Sequence, residues 1–131
     1  MSDPWAAHLS ATPVPGSWVF GSSEHGAEIQ FRGVVREMEN GRKLRGIYYS
    51  AYEPMAENLL REMLITLSAT HPHSLTFVHH VIGFVPAGQA SLLIAAATPH
   101  STEAFSVVQE ILGRIKRELP IWKEFVYDDE A

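Results

Sequence analysis

The sequence predicts an α+β fold in which a mostly antiparallel sheet carries two main helices. Three observations point there. Residues 27–36 alternate apolar and polar side chains with the period of a half-buried strand. Two long stretches, 56–67 and 104–119, place apolar residues at helical spacing. Apolar runs at 75–85 and 91–98 fall between those helices. In chain order the elements read β-β-α-β-β-α-β, a pattern that lays helices on a sheet.

Residues 1–24 are expected to form an irregular N-terminal arm, and residues 25–131 a single domain. The arm is punctuated by Pro4, Pro13, Pro15, Gly16 and Gly21, with one short strand expected at Trp18-Val19-Phe20. From Ala27 onward, Ala27, Ile29, Phe31, Gly33 and Val35 alternate with Glu28, Gln30, Arg32, Val34 and Arg36, which puts Arg36 on the polar parity at the strand's exit. Asn40-Gly41 is a tight-turn signal, and residues 44–52 resume as a strand, so 27–52 reads as a hairpin with a basic tip of Arg42, Lys43 and Arg45. Pro54 suits the first turn of a helix, where its missing N–H costs nothing. Ala56, Leu59, Leu60, Met63, Leu64 and Leu67 form that helix's apolar face, which should end near His71-Pro72. A third strand spans 75–85, Pro86-Ala87-Gly88 turns the chain, and a fourth strand spans 91–98. Its unbroken run Leu92-Leu93-Ile94-Ala95-Ala96-Ala97 fits a strand covered on both faces. Ser101 or Thr102 caps the second helix, Pro120 ends it, and Ile121–Tyr127 is a short exit strand before an acidic tail.

Composition excludes several kinds of chemistry. The chain has 131 residues and no cysteine, which removes thiol nucleophiles, Cys-ligated zinc and iron–sulfur clusters. Any sulfur chemistry must use sulfur brought by a partner. Ten Lys+Arg against 15 Asp+Glu give a net charge of -5, so the global basic footprint of a nucleic-acid binder is missing. No apolar run approaches the length of about 18 residues that a membrane helix needs, and the N-terminus lacks the basic segment of a secretion signal. Neither a nucleic acid nor a membrane is expected as partner, and the expected location is the cytoplasm.

Candidate chemistry begins with Lys116 and Lys123. At about 100° per residue Lys116 falls just outside the apolar arc of the second helix, and Lys123 follows Pro-Ile-Trp at the helix stop. A lysine at such a border is either a desolvated, reactive amine or a side chain that lays its stem on the core and keeps its head in water. His100-Ser101 joins a buried strand to a helix start, where free N–H groups attract phosphate or carboxylate; the plain alternative is a cap and a loop residue. Arg36 is either an anion clamp or a solvated strand-end charge. His71, His73, His79 and His80 cluster in sequence, but Pro72 separates the first two and the adjacent pair points to opposite strand faces. No metal site or cofactor is expected. Dinucleotide and P-loop fingerprints are missing, as are Gly-x-Ser-x-Gly and His-Glu-x-x-His.

Several segments together carry a resemblance. Phe31-Arg32-Gly33-Val34-Val35-Arg36 is followed by Tyr49-Ser50-Ala51-Tyr52-Glu53-Pro54-Met55-Ala56-Glu57 and His80-Val81-Ile82-Gly83. Pro99-His100-Ser101 then precedes Ala104-Phe105, and Lys116-Arg117-Glu118-Leu119-Pro120-Ile121-Trp122-Lys123 closes the series. In this order and spacing, over about 26–123, the chain resembles the catalytic (large) subunit family of molybdopterin synthase. The resemblance implies an α/β hammerhead-type fold and a homodimer within a heterotetramer. It also implies a ubiquitin-like sulfur-carrier small subunit with a C-terminal Gly-Gly thiocarboxylate, and a reaction that installs two sulfurs on cyclic pyranopterin monophosphate to make the molybdopterin dithiolene. It further implies that Lys116 is the essential lysine near the thiocarboxylate and Lys123 the second active-site lysine. Arg36 and His100 match substrate-anion contacts, and Val34, Val35, Ser101, Glu124 and Phe125 neighbouring pocket positions.

Three departures from the family pattern accompany the match. Ser101 stands where the family usually has an arginine after His. Glu124 and Phe125 stand where a basic residue and then Glu commonly follow Trp-Lys. The family's C-terminal segment with its arginine and tryptophan has no counterpart before Ala131. These departures frame a second reading, a non-catalytic paralogue that keeps the dimer and carrier-docking surfaces. An unrelated α+β ligand-binding module is a third.

Overall fold

The computed structural model describes residues 3–16 and 21–128. Its elements are β1 (Trp5–Ser10), β2 (Ala27–Val34), β3 (Met38–Glu39), β4 (Arg42–Ala51), α1 (Met55–Thr70), β5 (Leu75–Val81), β6 (Gly83–Pro86), β7 (Ala90–Thr98), α2 (Ser101–Glu118) and β8 (Ile121–Tyr127). The α+β class is as the sequence predicts. One sheet has the order β1-β5-β7-β2; the other has the order β3-β4-β6, with β8 also paired to β4. Only β1 with β5 runs parallel among the described strand pairs.

The first sheet takes both helices on one face. Leu60, Met63, Leu64 and Leu67 of α1 and Val107, Ile111 and Ile115 of α2 bury their apolar stripes against Val78, Leu92, Ile94 and Ala96. The outer residues of the same face, Ile29 and Phe31, pack on the rim of this cluster. Phe77, Leu93 and Ala95 point to the opposite face, where Ala6 and Val14 cover them. Covered on both faces, β7 is buried along its whole length, as its unbroken apolar run predicts. A second cluster, built from Val35, Leu44, Ile47, Val81 and Val85, fills the inner face of the second sheet.

Three sequence expectations are corrected. The segment 27–52 is not one hairpin: β2 pairs with β7, and only the short β3 pairs back on β4 around Asn40-Gly41. There both turn residues have positive φ, 56° and 74°, as a tight twisted turn requires. The chain leaves the first sheet after a register break at Gly33/Val34, and Val35 then bonds to the turn after β6 through Val35 N–Gln89 O and Gly88 N–Val35 O. The strand expected over 75–85 is two strands in two sheets. The chain changes sheet at Gly83, whose φ of +123° is strained for any residue with a Cβ. Finally, the arm is not wholly irregular, because Trp5–Ser10 adds a parallel strand to the edge of β5. Its alternation is hidden by two alanines and a histidine. The strand expected at Trp18-Val19-Phe20 lies outside the described residues.

Candidate active site

Where α2 ends, the two sheets meet around an open cavity of about 530 Å³. Each wall follows from local sequence. Helix α2 contributes Leu112, Ile115 and Lys116 from adjoining turns of one face. The helix stops at Leu119, whose extended backbone feeds Pro120 and then β8. That strand returns Ile121 and Lys123, two residues apart and therefore on one side, to the same cavity. Lys116 and Lys123, seven positions apart in sequence, thus share one space.

A bulge shapes the opposite wall. Leu92 pairs with Gly33 and Ala90 with Val34, so Ser91 is an extra residue without a partner in the ladder. A bulge of this kind re-aims side chains, and here the consecutive residues Ser91 and Leu92 both line the cavity, as do Gly33 and Val34. Ser91 Oγ donates to the Gly33 carbonyl at 3.4 Å and is hydrogen-bonded to the Tyr49 hydroxyl. Burial pushes the Tyr49 phenol above its ordinary value, and the Ser91 bond opposes this.

Tyr49 sits on β4 directly opposite Lys123 on β8, a pairing that brings Cβ atoms to about 5 Å. Its ring meets His80 edge-on, with centroids 5.1 Å apart and planes at 73°. His80 lies on the helix-covered face of β5, opposite Leu92, and is buried. Its neighbour His79 points the other way and bonds to the Thr12 carbonyl, as strand alternation requires. Burial holds the His80 imidazole below its ordinary value; the Val81 hydrogen bond opposes that, and Lys123 and His79 add to it.

The structure therefore joins Lys116, Lys123 and Val34 and adds Tyr49, His80 and Ser91. The remaining site residues lie elsewhere in a single chain. Val35 is buried in the second core cluster. Arg36 bonds Glu39 at 2.9 Å on the surface. Glu124 faces away from Lys123 on the exposed side of β8, and Phe125 packs on the second core cluster. His100 and Ser101 are exposed at the start of α2, about 24 Å along the helix from Lys116. Both lysines are exposed, so the burial that a desolvated amine needs is not found in this chain.

Sequence reasoning missed Tyr49, His80 and Ser91. His80 carries a signal, a titratable ring inside an apolar strand run, but its spacing to the other histidines speaks only to metal binding. Ser91 had none, because a bulge leaves no mark in a serine at a strand's start.

Fold and cavity define a class: two-layer α+β proteins with paired lysines over a mixed polar and apolar pocket where two sheets join. Residues 9–118 match the family model described as MoaE protein, and the chain belongs to this family. It is 36% identical over 104 residues to the molybdopterin synthase catalytic subunit of Oryza sativa subsp. indica, covering 79% of this chain and 54% of that one. It is 34% identical over 106 residues to the namesake subunit of Bacillus subtilis, covering 81% of this chain and 68% of that one. The chain thus spans about half the length of the rice relative. Among solved structures, molybdopterin synthase from Staphylococcus aureus superposes with a TM-score of 0.81 at 27% identity, covering 98% of this chain and 95% of that chain. A chain from the complex of subunits 1 and 2 of molybdopterin-converting factor from Helicobacter pylori shares the fold, with a TM-score of 0.68 at 18% identity over 98% of this chain and 92% of that one.

Proposed function

We propose that the protein is the catalytic subunit of a molybdopterin synthase. It takes sulfur from the thiocarboxylate of a ubiquitin-like carrier and installs two sulfurs on cyclic pyranopterin monophosphate, forming the dithiolene of molybdopterin. The observation that carries this reading is the shared cavity of Lys116 and Lys123, in a chain of the family whose relatives bear that name. Substrate phosphate and carrier thiocarboxylate are both anions, and two ammonium groups in one cleft hold them together and offset the charge that develops during transfer. The apolar wall of Leu112, Ile115 and Ile121 keeps water from the thiocarboxylate. A chain without cysteine fits a sulfur donor that arrives in trans.

The carrier's glycine tail enters as an extended segment read through main-chain contacts. His100 and Ser101, about 24 Å from Lys116 in one chain, contribute to the site from a second copy; this is the physical argument for a homodimer, with one carrier per protomer. The work is done in the cytoplasm.

Conversion of cyclic pyranopterin monophosphate by the purified chain with thiocarboxylated carrier tests the reading. Lys116→Ala is expected to lower turnover by about a hundredfold or more. Its thermal midpoint should stay near wild type, because the residue is exposed. Near-normal turnover in this variant overturns the assignment. The second reading, a paralogue that docks the carrier without turnover, is favoured by Ser101 in place of an arginine and by the Arg36–Glu39 pair. Carrier binding with no product from the wild-type chain selects it.

A further inference from the structure

Sulfur transfer leaves two buried titratable groups of the cavity unused, Tyr49 and His80. His80 is 6% exposed and shares the cavity with both lysines. Its Nδ1 lies 2.9 Å from the Val81 carbonyl; a carbonyl only accepts, so Nδ1 carries the proton. The neutral ring then keeps a lone pair on Nε2. Burial and the charge of Lys123 both favour that neutral form, and the Tyr49 ring fixes the imidazole edge-on. The hydroxyls of Tyr49 and Ser91 bond each other, and Ser91 also bonds Gly33. Nε2 has no such partner among the described residues. Lysines only donate. The cavity therefore combines two cationic donors with a neutral, oriented ring-nitrogen acceptor.

We propose that His80 Nε2 accepts a hydrogen bond from a ring N–H of a bicyclic heterocycle bound in the cavity, making His80 the specificity-determining residue for the pterin end of the substrate while the lysines take its anionic end. The inference rests on the synthase reading, which supplies a ligand with both ends. A neutral acceptor adds nothing to the capture of phosphate alone. It selects for a donor-bearing ring, because a ligand without the N–H leaves a desolvated lone pair unmatched.

Two substitutions separate this role from a structural one. In His80→Asn the side-chain amide still reaches the Val81 carbonyl in place of Nδ1, and the Nε2 acceptor is gone. In His80→Gln the longer amide returns an acceptor near the Nε2 position. Calorimetric titration with cyclic pyranopterin monophosphate, and with inorganic phosphate as control, is paired with turnover on thiocarboxylated carrier. The expected result for His80→Asn is affinity weakened about ten- to a hundredfold, KM raised in step, kcat little changed, and phosphate binding as in wild type. His80→Gln is expected to recover part of the loss.

A wild-type-like affinity in His80→Asn, with wild-type turnover intact, overturns this inference and leaves the synthase reading standing. Equal weakening of precursor and phosphate also overturns it. Weakened precursor binding in His80→Asn, with no turnover in the wild type, sustains the inference and overturns the catalytic reading. The wild-type protein gives a check that needs no variant: the ¹⁵N resonance of His80 Nε2 is expected to shift with precursor and not with phosphate. An unmoved resonance overturns the proposal even where a variant fails to fold.

Discussion

Adjacent positions in β8 have opposite fates. Trp122 and Glu124 are exposed on the outer face of the second sheet, whereas Lys123 between them reaches the cavity. Spacing marks Lys116 by its helix border and Lys123 by the helix stop before it, whereas their sharing one site follows only from the family resemblance. The Tyr49–His80–Ser91 side of the cavity was not legible, since it depends on which strands become neighbours. His80 also has a thermodynamic consequence. Its folded-state pKa lies below the ordinary value of 6.5, so between the two values the unfolded chain binds a proton that the folded chain refuses. Stability therefore rises with pH through that window. The contribution is complete above about pH 6.5 and is lost as pH falls from there through the depressed folded-state value. Urea midpoints at pH 7.5 and 5.5 should fall further for wild type than for His80→Asn; equal falls would show that His80 is not the group responsible.

At the scale of elements, both helices, the buried β7 and the exit strand β8 were readable, because each depends on local periodicity and on Pro54 and Pro120 as boundaries. Pairing was not readable. Residues 27–36 and 44–52 are separated by a strong turn signal, yet β2 joins β7, and the turn serves only the two residues of β3. Alternation states that a strand has a covered face, and it does not state which neighbour completes the ladder. β1 shows the converse: its weak pattern becomes a strand only because the edge of β5 is available. Gly83 is the hinge of this arrangement, the point where the chain leaves the sheet of β5 for that of β4. A Cβ there meets nothing within 4 Å, but φ is +123°. Gly83→Ala is thus expected to cost about 1–3 kcal/mol through backbone strain alone. Chemical denaturation measures this, and the m-value should stay constant, because no surface is newly exposed in the native state.

At the scale of the molecule, a single chain separates the residues that the family pattern assigns to one site. Lys116 and Lys123 share the cavity. His100 lies at the other end of an 18-residue helix and just past the end of a nine-residue strand, and both elements are rigid in packed cores. No bending of either brings His100 to its own chain's lysines, so its participation requires a partner copy facing the opposite way. A two-fold dimer has this geometry, since each surface patch meets its counterpart in reverse. Mixing two inactive proteins tests it. Lys116→Ala and His100→Ala each leave every homodimer with two damaged sites. After subunit exchange, half of the dimers are mixed, and each of these has one site with both residues intact and one with neither. Turnover is then expected to return to about one quarter of the wild-type level at equal mixing. Sedimentation should show the same dimer before and after exchange. Without recovery, and with exchange verified by a mass-tagged subunit, His100 acts outside the sulfur-transfer site and the cavity of one chain is the whole of it.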